Sequence, residues 1–219
     1  MKKLLKGDKE WLKARQQVIT ATEAPALLGL NPFSSPAKMW QEKTEKSFVG
    51  NSYTQIGQWL EPVVVTITNS LLGTDFKIIE NEIGKIFYQH DKARLGATPD
   101  AIGVNEFLEC KTTKPLNYLK YKYCPPLYYI IQLQVQLICA GFDTGYLAIM
   151  GTDLSQADDV LRLPITIFKV ARQPRLEELL IQEVNRFWDC NKREVQFRVS
   201  SKVKRESGII CNMCYDKVI

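Results

Sequence analysis

The sequence predicts a mixed α/β (α+β) domain, in which helices precede and follow a central mixed sheet. The N-terminal part has the apolar period of helices, and the middle changes to short β-branched or alternating segments punctuated by glycine and asparagine. Helical patterns return after the two prolines Pro125 and Pro126. No repeat, low-complexity tract or Gly/Ser linker divides the 219 residues, so we expect a single domain over 1–219.

The pattern predicts each element in turn. Helices are expected near 8–17, 22–29, 36–45 and 53–72, the third of them beginning with a serine cap and Pro36 in its first turn. The segments FKIIENE, GKIFYQ, LGATPDAIGV and EFLECKTT predict an antiparallel meander. The rest predicts a helix from Pro125 or Pro126 to Ala140, strands near 144–150 and 161–170, and a helix near 174–190. Residues 191–219 are basic and weakly patterned, which leaves open whether they fold alone or on a partner.

Composition excludes few function classes. The chain is 45% hydrophobic and 24% charged, as ordinary globular proteins are, and its net charge of +5 would attract polyanions without identifying one. No apolar run reaches the roughly 20 residues of a membrane span, and the start MKKLLKGDKEW lacks a signal-peptide core. We therefore expect a cytoplasmic protein with no membrane contact.

Cysteine and histidine usage narrows the chemistry. The six cysteines lie mostly in apolar or aromatic segments, which predicts reduced thiols, and only Cys211 and Cys214 have metal-ligand spacing, with no further ligands nearby. His90 is the only histidine, so hydrolase triads and histidine-rich zinc sites are disfavoured.

The segment RLGATPDAIGVNEFLECKTTK contains the strongest candidate for chemistry. In an extended strand Glu109 and Lys111 project to one side, while Leu108 and Cys110 project to the other. If the turn at 103–105 pairs this strand with the preceding one, Asp100 comes within reach of the same point. Two carboxylates and a lysine then converge.

Such a group suits hydrolysis of a phosphodiester. Mg²⁺ is commonly held by one or two carboxylates, water and substrate phosphate, which Asp100 and Glu109 could provide. Lys111 would act on the attacking water and offset charge on the phosphate. A similar pattern arises by chance in about a few per cent of chains this long, so it needs support from elsewhere.

Two other segments offer that support. Glu61 precedes Pro62, which restricts its backbone, and could be a third acid of the metal site or only a glutamate favoured near a helix start. Helical spacing puts Tyr129, Gln132 and Gln136 on one face, which either contacts solvent or faces a polar site.

A phosphate-binding site is the third candidate. Arg15 lies in one predicted helix, Thr22 at the expected start of the next, and Pro25 fits the first turn of that helix. A hydroxyl at a helix N-terminus with an arginine nearby can bind phosphate, although a capping threonine beside a solvated arginine gives the same pattern.

The motifs WLKARQQVITATEAPALLGLNPFSSP, GQWLEP, GATPDA, LECKTT and YIIQLQVQ follow one another in this order. Together they resemble the YqaJ-like viral recombinase family, related to lambda exonuclease, within the PD-(D/E)xK nuclease superfamily. The resemblance covers roughly residues 10–150 and implies a restriction-endonuclease-like fold, a central mixed sheet flanked by helices.

The resemblance also implies a function and a site. It implies an exonuclease that needs Mg²⁺, or Mn²⁺ in its place, as one or two ions, and that degrades one strand of linear duplex DNA from 5′ to 3′. The residues it assigns to metal are Asp100, Glu109, Glu61 and the Cys110 carbonyl, with Lys111 acting on the water. The residues it assigns to substrate are Arg15 and Thr22 on the terminal 5′-phosphate, with Thr98, Tyr129 and Gln132 lining the site. Thr22 and Thr98 stand where serine is common in relatives, which retains a hydroxyl.

Partners follow from the same resemblance. It implies a ring-shaped homotrimer, a phage single-strand annealing protein that receives the 3′ tail, and a phage or prophage gene expressed in a bacterial cytoplasm. Two other functions remain open at this point: another nuclease of the superfamily, such as an endonuclease, and a DNA-binding module that has lost catalysis.

Overall fold

The computed structural model describes residues 9–45, 53–78, 87–152 and 164–219, which form eight helices and nine strands. The helices are α1 (Lys9–Gln16), α2 (Ala24–Leu27), α3 (Pro36–Glu45), α4 (Tyr53–Leu72), α5 (Pro115–Tyr121), α6 (Leu127–Ala140), α7 (Pro174–Lys192) and α8 (Ser201–Asn212). The strands are β1 (Ile19–Thr20), β2 (Lys77–Ile78), β3 (Tyr88–Gln89), β4 (Leu95–Ala97), β5 (Ala101–Ile102), β6 (Glu106–Thr113), β7 (Thr144–Gly151), β8 (Ile165–Ala171) and β9 (Tyr215–Lys217).

A six-stranded mixed sheet with the order β2-β5-β6-β7-β8-β9 forms the centre of the fold. Only β6 and β7 run parallel, and they are joined by a crossover through α5 and α6. The remaining neighbours in this sheet are antiparallel. The predicted fold class, a central mixed sheet flanked by helices, is therefore confirmed.

Helices cover both faces of this sheet because its strands carry apolar side chains on both sides. On one face, Leu108 and Cys110 of β6 pack with Val64 and Ile67 of α4. On the other face, Phe107 of β6 packs in a larger core, to which α2, α6, α7 and α8 contribute. Strand β6 is thus enclosed, and any polar side chain on it needs a partner inside the protein.

Local sequence explains where several helices begin and end. Ser35 caps α3 by accepting a hydrogen bond from the Lys38 backbone N–H at 3.1 Å, with Pro36 in the first turn as predicted. Gly141 ends α6 in the left-handed conformation, at φ 73°, and its N–H donates to Leu137.

The predicted meander is wrong in one respect, because its segments belong to two sheets. Strand β4 leaves the central sheet and pairs in parallel with β1 and antiparallel with β3, in a separate three-stranded sheet. Alternation of side chains predicts strands but does not specify which edge a short strand joins. Residues 79–86 of the predicted meander lie outside the described ranges.

One smaller prediction needs correction, and two points that the sequence left open are answered. Helix α2 begins at Ala24, with Glu23 rather than Thr22 at its cap position and no side-chain capping bond. Pro62 lies inside α4, as the predicted helix over 53–72 has it, so Glu61 does not stand near a helix start. Residues 201–212 and 215–217, left open by the sequence, form α8 and the edge strand β9, which pairs with β8.

The described helices include none with the length and apolarity needed to cross a bilayer. All six cysteines are free thiols, and Cys211 and Cys214 are buried against each other, with the Cys214 thiol donating to the Cys211 carbonyl at 3.1 Å.

Candidate active site

The predicted alternation of faces along β6 is confirmed. Leu108 and Cys110 face α4, whereas Glu109 and Lys111 face α6. Strand β5 pairs with β6 through Ala101 opposite Leu108, so Asp100, one residue earlier, reaches the position beside Glu109. Its Oδ2 accepts the Cys110 backbone N–H at 2.9 Å. The turn at 103–105 therefore brings the predicted acids together.

Glu109 is the centre of the site and is only 1% exposed. Its Oε1 accepts hydrogen bonds from the Lys111 ammonium and the Gln132 amide, and its Oε2 accepts one from the Gln136 amide. A carboxylate offers about four lone-pair sites, so these donors leave room for one more ligand on Oε2. Helix α6 thus turns a polar face inward, towards the strand, and not towards solvent.

Burial and charge shift the pKa values of this pair in a consistent way. Burial and then the nearby Asp100 charge raise the pKa of Glu109, Lys111 opposes both, and the net result is a pKa of about 7. Burial lowers the pKa of Lys111, but the attraction of Glu109 and Asp100 outweighs this, so it lies above its usual value. Lys111 is therefore an ammonium group held against two carboxylates.

The donor chemistry fits a hard divalent cation. Asp100, just before β5, and Glu109 on β6 supply carboxylate oxygens, and a cation between them would offset both the burial and the Asp100 charge that raise the pKa of Glu109. Within the described ranges, no three His, Cys, Asp or Glu side chains form a group that could hold a metal ion. The fit is therefore to an ion held by two carboxylates and completed by backbone, water or substrate oxygens.

Glu61 lies on α4, which packs against β6 from the opposite side. Burial, followed by the charges of Asp100, Glu109 and Glu61, raises the pKa of the Cys110 thiol, which places Glu61 near the same point of the strand. The structure does not combine Glu61 with Asp100 and Glu109 into a three-acid cluster. Its role and that of the Cys110 carbonyl as metal ligands stay predictions.

A second group of charges surrounds Arg15 at the end of α1. The Arg15 guanidinium lies over the Trp11 ring, 4.5 Å from its centroid, and burial lowers the pKa of Arg15 while Glu23 opposes the shift. Lys43 donates to the Arg15 carbonyl at 2.7 Å and forms an ion pair with Glu23 at 2.9 Å. Arg15 and Lys43 both lie near Glu23, and the more distant Glu42 charge also acts on Lys43, so two cations that could attract an anion are held side by side.

Thr22 belongs to this group although it does not cap α2. The Thr20 hydroxyl donates to Glu23 at 2.8 Å, so the contact of 3.1 Å between the hydroxyls of Thr22 and Thr20 has Thr22 as donor. Glu23 also accepts the Thr20 backbone N–H, and this local turn replaces the expected helix cap.

The small sheet connects the Arg15 group to the carboxylates. Thr20 pairs with Gly96, and the Ala21 N–H donates to the Gly96 carbonyl at 2.9 Å. After β4 the chain continues through Thr98 to Asp100. The Thr98 hydroxyl is buried and has no hydrogen-bond partner in the described part of the chain, which leaves it able to serve a ligand.

Tyr129 lies beside Lys111, whose Nζ is 5.2 Å from the ring centroid. The structure adds Gln136, Glu23 and Lys43, which the sequence did not assign to a site. Helical spacing had already put Gln136 on the same face as Gln132, but Lys43 could not be predicted, because only tertiary packing brings α3 to Arg15.

Similar structures share this fold. An alkaline exonuclease, LHK-Exo, from Laribacter hongkongensis matches with a TM-score of 0.67 and 20% identity, over 92% of this chain and 99% of the other. A phage-related exonuclease from Haemophilus somnus 129PT matches with a TM-score of 0.57 and 15% identity, over 81% of this chain and 96% of the other.

Sequence comparison identifies the family. The uncharacterized protein YqaJ of Bacillus subtilis (strain 168) is 24% identical over 187 residues, which are 82% of this chain and 55% of that protein. The chain therefore spans about half the length of this curated relative. The model of the YqaJ-like viral recombinase domain matches residues 10–143, which include Arg15, Asp100, Glu109, Lys111 and Gln132. The chain belongs to the YqaJ-like viral recombinase domain family.

Proposed function

We propose that the chain is a divalent-cation-dependent exonuclease that degrades one strand of linear duplex DNA from 5′ to 3′. The observation that carries the proposal is the enclosed set of Asp100, Glu109 and Lys111 on neighbouring strands, with Glu109 buried and fixed by amides of α6. Family membership supports it, as do similar structures that are exonucleases by name.

In this proposal Asp100 and Glu109 hold Mg²⁺ or Mn²⁺, with Glu61 and the Cys110 carbonyl as further contributors. The cation would supply Lewis-acid activation of water and charge neutralisation at the scissile phosphate. Gln132 and Gln136 keep the Glu109 carboxylate in place, and the Lys111 ammonium orients the attacking water from the same face of β6.

Recognition of a strand end distinguishes an exonuclease from an endonuclease. Arg15, with Lys43 behind it, would bind the terminal 5′-phosphate, and Thr22 would join it by turning its hydroxyl away from Thr20. The free hydroxyl of Thr98 and the Tyr129 ring would line the path to the carboxylates. Beyond the single chain we propose a homotrimeric ring and transfer of the 3′ tail to a phage single-strand annealing protein, in a bacterial cytoplasm. Family resemblance supports these assembly proposals.

The decisive experiment incubates the purified chain and Mg²⁺ with linear duplex DNA labelled on a base near the 5′ or the 3′ end of one strand, with 5′-phosphate or 5′-hydroxyl termini, and with a closed circle as control. We expect release of 5′-terminal nucleotides, faster from phosphorylated ends, and an intact circle. Arg15→Ala should remove the preference for phosphate, whereas Lys13→Ala, an exposed lysine on the same helix, should keep it. Cutting of the circle would indicate an endonuclease, and no product from any substrate would favour a binding module.

A further inference from the structure

Helix α5 and the turn after it present an outward surface that the proposed catalytic site does not use. Leu116, Leu119 and Lys120 follow the helical spacing i, i+3 and i+4, so they share one face of α5, and the exposed Tyr123 follows in the turn after the helix. Leu116 is 77%, Leu119 54% and Tyr123 69% exposed. Large apolar side chains exposed together in this way are typical of binding surfaces.

Positive charge accompanies these apolar groups. The ammonium groups of Lys122 and Lys217 lie 4.9 and 5.4 Å from the centroid of the Tyr123 ring. From Cys110 to Phe142 the sequence contains four lysines and no acidic residue. The surface formed by Leu116, Leu119, Lys120, Lys122, Tyr123 and Lys217, here named the α5 surface, therefore complements a polyanion that has apolar or aromatic groups of its own.

The opposite face of α5 connects this surface to the candidate active site. Tyr121, the last residue of α5, packs against the Tyr129 ring with centroids 6.2 Å apart, and Tyr129 lies 5.2 Å from Lys111 Nζ. The Tyr118 hydroxyl contacts Thr166 of β8 at 3.0 Å, which fixes the helix on the sheet. The outer face is therefore one aromatic layer away from the catalytic lysine.

We propose that the α5 surface binds single-stranded DNA next to the active site, an inference that rests on the proposed function for the identity of the polyanion. Lysines bind the backbone of such a strand, and its unpaired bases stack on an exposed ring or pack on leucines. Duplex DNA encloses its bases, so it would gain little from Leu116, Leu119 or the face of Tyr123. The α5 surface is thus assigned to an unpaired strand produced or retained during cutting.

The test measures binding without hydrolysis. Fluorescence anisotropy of a labelled oligothymidylate is titrated with the full chain in EDTA, in parallel with a labelled duplex. We expect the double variant Lys120→Ala/Tyr123→Ala to bind the oligothymidylate at least about fivefold more weakly, with little change for the duplex. The slope of log affinity against log salt should fall by about 0.7 for the removed phosphate contact.

Matched variants control for general effects. Lys192→Ala/Val195→Ala also removes one exposed lysine and one exposed apolar side chain, at the end of α7, and should leave both affinities unchanged. Tyr123→Phe keeps the ring and should retain most of the affinity. Thermal unfolding of each variant verifies that α5 is still folded.

Two results would overturn the assignment: unchanged oligothymidylate affinity in the double variant, or equal losses for single-stranded and duplex DNA. Lost self-association in sedimentation with unchanged oligothymidylate affinity would instead assign the surface to contacts between copies. If the wild-type chain does not cut DNA but the double variant loses single-strand affinity, the proposed function fails and the α5 surface stands. If the chain cuts DNA and the variant binds normally, only the α5 surface fails.

Discussion

Glu109 is a buried carboxylate, which costs free energy in the folded protein but provides oxygens that could bind a cation. A carboxylate buried to this extent is expensive unless its oxygens receive hydrogen bonds, and three side chains provide them. The pKa of Glu109 is nevertheless raised to about 7, because burial and Asp100 outweigh Lys111. The site is therefore built for an additional positive charge, which is the basis for assigning a divalent cation to it.

The substitution Lys111→Ala tests whether this lysine takes part in DNA hydrolysis. Lys111→Ala should lower the rate of DNA hydrolysis about a hundredfold or more, since it removes the group that orients the water. Duplex affinity, measured with Ca²⁺ in place of Mg²⁺, should change little. Lys38→Ala removes an exposed lysine from α3 and should retain the parental rate. A Lys111→Ala variant that cuts DNA at the parental rate would refute the role assigned to this lysine.

Gln136 tests the packing that holds Glu109. Gln136→Leu keeps the side-chain volume but removes a donor to a buried carboxylate, so the free energy of unfolding should fall by about 1–3 kcal/mol. Urea unfolding measures this change. Gln182→Leu makes the same substitution at an exposed position of α7 and should stay within about 0.5 kcal/mol of the wild type. Equal effects of the two substitutions would contradict the clamping role of Gln136.

At the scale of elements, the site depends on which strands are neighbours. Strand β6 and the turn before it were predictable, because Gly103 and Asn105 indicate a turn and the alternating segment after them indicates a strand. In the structure Asn105 adopts φ 58° in this turn. The helix face with Tyr129 and Gln132 was predictable from spacing. The parallel pairing of β1 with β4 was not, because a strand of two residues, Ile19 and Thr20, has too little pattern to specify its partner.

The same limit applies to the group of charges around Arg15. Arg15 and Thr22 were predicted as neighbours because they are close in sequence, but Lys43 joins them from a separate helix. Glu23 was also missed, since its carboxylate folds back onto Thr20 instead of extending into solvent. Sequence therefore predicted one charge of this group, that of Arg15, and missed both Lys43 and Glu23.

Gly96 tests whether the small sheet fixes the strand that leads to Asp100. A Cβ at this position would lie 2.5 Å from the Phe87 ring and 2.8 Å from Val18, so Gly96→Ala should destabilise the protein by about 1–3 kcal/mol. Gly208→Ala, inside α8, is the control, because its Cβ would make only an ordinary contact of 3.7 Å with Leu127 of α6. That variant should gain up to about 1 kcal/mol. Denaturant unfolding separates the two, and a neutral Gly96→Ala would contradict the close packing of β4.

At the scale of the whole molecule, the helices on both faces of the central sheet and the C-terminal elements belong to one structure. Helix α8 buries Cys211 in the same core as Leu133 of α6 and Phe187 of α7, and β9 extends the central sheet at β8. The single domain over 1–219 predicted from sequence is consistent with these contacts and stays a prediction about folding.

The prediction of a single domain implies that the whole chain unfolds in one cooperative transition. Thermal or urea unfolding should give coincident transitions by far-ultraviolet circular dichroism and by fluorescence of the four tryptophans, because Trp11, Trp40, Trp59 and Trp188 lie in different parts of the chain. Removing residues 200–219 should lower the midpoint of unfolding, since this exposes the core surface under α8. Two separated transitions in the full chain would divide it into independent units.

The central claim is that Asp100 and Glu109 hold a divalent cation beside Lys111. Crystals soaked in Mn²⁺ test it most directly, because the anomalous scattering of manganese locates the ion without assumptions about activity. The account predicts an anomalous peak between the two carboxylates, absent in Asp100→Asn crystals treated in the same way. A chain that cleaves DNA with Mn²⁺ while its only anomalous peak lies away from Asp100 and Glu109 would contradict it.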